Sequence, residues 1–422
     1  MTPSRRLGLT LALIVVVGMP LIAACGNGAS RLDTDLNAIV APYRFRAVAW
    51  EVCALFGVGC DGADVAALPD GLADADALHA FFELADARRD ATARLRSAAE
   101  DGDDAAAAAL DDSLAEIAAQ RAALRGRVEA IIAREVRAAL VDEGITHPLA
   151  DRVPIDVTFP PVSLRLEHPP TLLVVSPRER IESLREVMLL QGLGDATREE
   201  IEAAVAALGY SGLVVDLGGL AALYPPLIDQ DAPLDWTVET AVHEWLHQYL
   251  AFTPFGFRYV LDLAGLRRDY EIATMNETAV GMLGREIAGR VLANYLPPPA
   301  PRDETPTPAP SESLFNQTMR ETRLRVDALL AQGQVTEAEA YMEEQRRYLV
   351  SEGFALRKLN QAYFAFHGAY ADAPTSVSPI GEEMRALRRR ATSPGAFLRT
   401  VAGFTNRADL QQALSEAAVT GE

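Results

Sequence analysis

Apolar positions follow two rhythms along this chain, and the changes between them divide it. From 76 to 141, alanine, leucine and arginine recur among acidic residues without a single proline, a composition that favours helix. Asp101-Gly102-Asp103-Asp104 interrupts the run, so the pattern predicts a helical hairpin. Short apolar runs bounded by prolines follow. Ile155–Phe159, Leu172–Ser176 and Leu213–Leu217 read as strands. Thr197-Arg198-Glu199-Glu200 has the spacing of a capping box, with a helix running on to Gly209. Gly218-Gly219 permits a bulge or a close approach of backbone, and Leu220–Ile228 reads as extended, broken at Pro225-Pro226.

Beyond Pro297 a Pro/Thr-rich stretch has almost no apolar content and reads as a mobile loop. Helical spacing then returns: Ser313 to Gln332, a second capping box at Thr336-Glu337-Ala338-Glu339 opening a helix to about Glu352, then 354–370, 379–391 and 407–418. The expected fold is α+β and predominantly helical. Its divisions are a signal segment (1–24), a tether and N-terminal segment (25–75), the hairpin (76–150), an α/β core (151–296), the loop (297–312) and a helical C-terminal region (313–422).

One helix in the core carries chemistry. His243-Glu244-Trp245-Leu246-His247 has the H-E-x-x-H spacing. At about 100° per residue, His247 falls about 40° from His243 and Glu244 about 100° away. Val238, Ala241, Val242, Trp245 and Tyr249 lie on the far side. Both imidazoles can therefore reach one metal ion, with Glu244 beside it as a general base. A catalytic zinc needs a third protein ligand. Glu277 follows His247 by thirty positions, on a second predicted helix from Tyr270 to Leu296. Ala273, Gly281 and Gly284 share its face, so the two helices can approach closely. Glu271 and Glu286 are rival ligands on other faces.

Composition narrows the setting. Among 422 residues, 39 are basic and 59 acidic, a net charge of −20 that argues against nucleic acid as a partner. Arg5-Arg6, an apolar run from Leu7 to Val17, and small residues before Cys25 resemble a bacterial lipoprotein signal. That resemblance implies cleavage before Cys25, lipid attachment to its sulfur, and a place in the cell envelope, tethered to a membrane and facing outside the cytoplasm. The other reading is an uncleaved anchor helix. Cys53 and Cys60 are close enough in sequence to form a small disulfide loop in such a compartment, with two free thiols as the alternative. His79, His147 and His168 stand in plain contexts.

His243, Glu244, His247 and Glu277, with Asn276 directly before the glutamate, resemble the gluzincin group of zinc metallopeptidases over about residues 210–290. The resemblance implies a zincin-like core with a small sheet, one Zn2+ ion held by His243, His247 and Glu277, and Glu244 as base toward a peptide or protein substrate. It also implies an edge strand near Gly218–Tyr224 that pairs with substrate, and an oxyanion donor from further along the chain. Tyr363, His367 and Tyr370 are the candidates, spaced to share one helix face, with His367 first; an aromatic core stripe is the other reading. Arg357 and Asn360 stand ready for substrate or backbone contacts. Val280 and Gly281 depart from the thermolysin-like pattern, which keeps Ser-Asp there, so a partner for His243 must come from elsewhere, Glu239 or a backbone carbonyl. Against the peptidase stand a non-catalytic binding or assembly lipoprotein on the same scaffold and a solute-binding lipoprotein. The intact Glu244 disfavours the first, and the helical composition the second.

Overall fold

The computed structural model describes residues 30–47, 50, 73–148, 157–293 and 314–419. The signal segment, Cys25, Cys53, Cys60 and the Pro/Thr-rich loop lie outside them. The elements run α1 (Arg31–Val40), α2 (Asp74–Asp101), α3 (Asp104–Asp142), β1 (Arg165–Leu166), β2 (Thr171–Pro177), β3 (Arg185–Leu189), α4 (Asp195–Ala207), β4 (Tyr210–Asp216), β5 (Gly219–Leu220) and β6 (Leu227–Ile228). They continue with α5 (Leu234–Leu250), α6 (Pro254–Leu263), α7 (Tyr270–Leu292), α8 (Leu314–Ala331), α9 (Val335–Ser351), α10 (Gln361–His367), α11 (Pro379–Arg390), α12 (Pro394–Ala402) and α13 (Arg407–Val419). The fold is α+β and predominantly helical, and the described residues form two three-stranded sheets. Among the described residues no helix is long and apolar enough to cross a membrane.

The hairpin forms where the break in pattern predicts it. Gly102 ends α2 in the left-handed region, and the Asp103 side chain accepts from Ala106 N to open α3. Several other expectations need correction. The tether expected after Cys25 is helical from Arg31: Ser30 and Asp33 form a reciprocal capping box, and Leu36 and Val40 bury against a sheet. Arg185 on β3 grips Asp33 at 2.6 Å and holds its carboxyl down at about 2. Neither capping box read further along caps a helix. Helix α4 starts behind Gly194 and α9 behind Gln334, neither with a side-chain cap, and Glu339 reaches out to Arg178 instead. Residues 157–159 form no strand, the remainder of that predicted run lying outside the described residues. Only Gln361–His367 of the stretch 354–370 is α-helical. The run 220–228 turns in its middle, so that its ends pair with each other as β5 and β6.

In the first sheet β2 is central, antiparallel to β3 and β4. Its apolar run is continuous because both faces are covered: Leu173 and Val175 pack with α1 and α4, Leu172 and Val174 with Leu213 and Ala362. In the second sheet β6 pairs in parallel with β1 and antiparallel with β5, which leaves β5 at the edge. The largest core joins the apolar faces of α5 and α7 to the hairpin and to α11 and α12, through Val136, Trp245, Leu283 and Phe397. The Trp245 indole N–H donates to Pro160 O at 2.9 Å, so even its polar atom is satisfied.

The C-terminal region is tied to the first sheet through Glu202, only 1% exposed. It accepts from Val214 N at 2.8 Å, from Arg357 Nη1 at 3.0 Å and from Lys358 Nζ at 3.0 Å. Arg357 and Asn360 thus serve the backbone and Glu202, with Asn360 Nδ2 also donating to Gly212 O. Burial pushes the Glu202 carboxyl up, but the bonds from Arg357 and Val214 and the Lys358 charge outweigh it and leave it below its ordinary value. A carboxyl lowered by folding contributes stability above its unfolded pKa and loses it as pH falls through the lowered folded value. Glu202→Ala is expected to cost about 3–5 kcal/mol in urea unfolding at neutral pH, because two cations lose their buried partner. The difference from the parent protein should shrink as pH falls below about 4. A cost that does not change with pH would show that the charge is not what matters.

Candidate metal centre

Helices α5 and α7 meet at small residues. A Cβ on Gly284 would stand 3.4 Å from Glu239 O and 3.6 Å from the His243 Cβ, so a methyl group would already touch the facing helix and a side chain extending beyond it would meet that helix. At this contact His243 and His247 bring their Nε2 atoms within 3.0 Å of each other. Glu277 Oε2 lies 3.4 Å from His243 Nε2, and Oε1 lies 3.5 Å from His247 Nε2. The three groups form a compact triangle, all ligand atoms within 4.8 Å of one another. Tetrahedral zinc with bonds of about 2.0–2.1 Å needs donors about 3.3 Å apart.

Two of the three groups, His247 and Glu277, are held from behind. Asn276 is fully buried, and its Oδ1 accepts from His247 Nδ1 at 2.9 Å, which leaves the Nε2 lone pair facing the centre. The Tyr259 hydroxyl donates to Glu277 Oε1 at 2.5 Å, and its ring stacks on His247 with centroids 5.5 Å apart. Glu277 Oε2 is buried with no hydrogen-bond partner. That orphan oxygen beside two converging imidazole nitrogens fits a cation. The electrostatics agree. Burial would raise the Glu277 carboxyl, but His247 and His243 hold it well below the carboxylate range. Burial would lower His247, but the Glu277 charge and hydrogen bond raise it. Both shifts favour positive charge inside the triangle.

Glu244 is 7% exposed and lies under the edge strand. A Cβ on Gly219 would collide with its Oε1, and a Cβ on Gly218 would collide with the Trp236 ring. Two glycines thus let β5 lie directly on α5. Gln248 Nε2 pins the chain beyond β5 by donating to Ala221 O at 3.1 Å and Leu223 O at 2.8 Å. Burial raises the Glu244 carboxyl, the two histidines only partly offsetting it. A carboxylate with raised proton affinity beside the triangle suits a general base.

The aromatic trio does not share one face. Helix α10 ends at His367, and Tyr370 lies beyond it. Its ring centroid is 6.4 Å from that of His243, and Ala371 N donates to Thr278 Oγ1 at 3.1 Å, which fastens this turn to α7 next to Glu277. The Glu277 charge and then burial push the Tyr370 phenol well above its ordinary value, so it remains a proton donor. His367, the first choice by sequence, packs against Tyr363 and Phe366, and burial lowers it to about 4. Tyr363, pushed up to about 12 by burial, belongs to the aromatic packing over the first sheet. Tyr370 is therefore the member of the trio brought to the triangle.

The other candidates are engaged elsewhere. Glu271 pairs with Arg407 and Glu286 with Arg388, while Glu239 faces Arg285 at 3.5 Å. His168 forms a second acidic group with Asp229 and Asp231, at 3.0 and 3.1 Å. Both its ring nitrogens face carboxylates, and Arg88 and Arg121 from the hairpin also engage Asp231. The guanidinium groups already supply the positive charge an ion would bring, so this group fastens the hairpin to the segment before α5. Sequence reasoning missed Tyr259, because α6 went unread. Its start was legible: Thr253 before Pro254 is an N-cap followed by proline at the first helical position.

No family model matches this chain, and no match is found among curated proteins or solved structures. The chemistry of the site is therefore read from its own geometry. Asn276→Ala should weaken zinc binding about 10–100-fold in a competition titration, since His247 loses the acceptor that orients it. Unchanged affinity would rule that role out.

Proposed function

We propose that the protein is a zinc-dependent peptidase with a gluzincin-type centre in a zincin-like core. The observation that carries this reading is the convergence of His243 Nε2, His247 Nε2 and the partnerless Glu277 Oε2 on one point beside buried Glu244. His243, His247 and Glu277 would hold the ion, leaving one position for water. Bound zinc would supply a Lewis acid that acidifies water and polarises a carbonyl.

The chain's own residues perform the remaining steps. Glu244 accepts the proton of the attacking water and passes it to the leaving nitrogen. Its burial beneath β5 excludes competing solvent and raises its basicity. The Tyr370 hydroxyl donates to the oxyanion as the carbonyl becomes tetrahedral. Edge strand β5, paired on one side with β6, lies beside Glu244, so an extended peptide can add to its other side as a further strand. This backbone pairing favours a peptide or protein substrate. A lipid anchor at Cys25 would hold the enzyme to a membrane on the outer side.

Bound zinc and cleavage of a peptide library test the proposal. Glu244→Gln should keep zinc and lose about 10²–10⁴-fold in turnover. Glu277→Ala should weaken zinc binding, and a chelator should abolish cleavage of wild type. A wild-type protein that takes up no zinc after reconstitution overturns the reading. Gly219→Ala should retain zinc yet cut kcat/KM at least about tenfold, because the added methyl displaces Glu244 and the edge strand together. Full activity in that variant would contradict the role given to β5.

A further inference from the structure

A carboxylate can bind a cation through one oxygen or through both, and the choice decides whether a four-coordinate site keeps a position for water. Nothing within Glu277 makes that choice, since its two oxygens are chemically equivalent. Its surroundings are not equivalent. Oε1 accepts the Tyr259 hydroxyl at 2.5 Å, while Oε2 has no hydrogen-bond partner and lies 3.4 Å from His243 Nε2.

We propose that Tyr259 is a positioning residue that makes Glu277 a ligand through Oε2 alone and so keeps one coordination position open. This rests on the metallopeptidase reading of the triangle. Tyr259 acts on two ligands at once, because its ring also stacks on His247, interplanar angle 29°. Asn276 fixes the same imidazole from its Nδ1 side. The tyrosine thereby couples the orientation of His247 to the rotamer of Glu277.

The helix that carries it is built to hold still. α6 occupies the short span between the two ligand helices and is fixed at both ends. At its start Thr253 Oγ1 accepts from Gly256 N at 3.3 Å, and a Cβ on Gly256 would collide with Leu250 O, so α6 sits directly on the end of α5. Further along, Arg258 Nη2 donates to Asp269 Oδ2 at 3.2 Å, and Asp269 caps the start of α7. Asp262 Oδ1 accepts from Asp269 N at 2.6 Å. A hydroxyl on a helix fastened to both ligand helices can select one carboxylate oxygen; one on a free loop could not.

The test is Tyr259→Phe, which keeps the stacked ring and removes only the hydroxyl. The dissociation constant for zinc should rise about 10–100-fold. Loaded with cobalt(II), the variant should show weaker visible absorption per bound ion, as both Glu277 oxygens coordinate and the site passes from four to five ligands. That readout is normalised to bound metal, so it does not depend on folded yield, and a purely structural role would not move it. The thermal midpoint of the metal-free variant should match wild type within a few degrees. Wild-type affinity together with a wild-type cobalt spectrum in Tyr259→Phe overturns this inference alone. Failure of the wild-type protein to bind zinc or cobalt overturns it together with the metallopeptidase reading.

Discussion

Glu277 is a carboxylate with 8% exposure, set between two imidazoles in the crossing of α5 and α7. Burying an ion of this kind costs several kcal/mol unless positive charge and hydrogen bonds compensate. Here the compensation comes from His243, His247 and the Tyr259 hydroxyl, and one oxygen is still left over. Much of the surrounding structure serves this arrangement. Gly284 sits in the crossing of the two helices, Asn276 and Tyr259 orient His247 and Glu277, and α6 links the end of α5 to the start of α7.

The two sheets play unequal parts. The larger, with β2 covered on both faces, is a scaffold that receives α1 on one side and α10 on the other. Its link to Glu202, Arg357 and Lys358 fixes the C-terminal region, and that region delivers Tyr370 to the triangle. The smaller sheet sends Leu166 and Ile228 into the main core and lays its edge over Glu244. It can do so only because Gly218 and Gly219 carry no side chain. The hairpin is anchored by Arg88, Arg121 and Asp231 to the segment that leads into the helix bearing the histidines.

Helix was legible in the alanine-rich composition of α2 and α3, in the apolar face of α5 and in the small-residue face of α7. The local pattern failed where short elements are stabilised by distant partners. Helix α1 depends on burial of Leu36 and Val40 against the first sheet and on the Asp33–Arg185 pair. Strand β3 opens on Arg185 and Glu186, and its apolar part is only the three residues Val187–Leu189. The two misread capping boxes have the right letters inside a first turn, and a local pattern cannot tell an acidic side chain that caps from one that reaches a distant arginine.

The sequence by itself determined which residues could come together at the triangle, because H-E-x-x-H places two imidazoles on one helix turn by geometry that holds in any α-helix, and because the small residue Gly284 lies on the side of α7 that faces the histidine helix. It also indicated Glu244 and the glycine pair before the histidine helix. Only the tertiary structure decided which far residues join them. Tyr259 and Tyr370 arrive from elements whose own sequences contain no sign of a metal, and His367, the more polar choice, is turned into aromatic packing. Local periodicity reports which face of an element is apolar; which groups meet across a cleft depends on how separate elements dock, and that is settled by packing of the whole core.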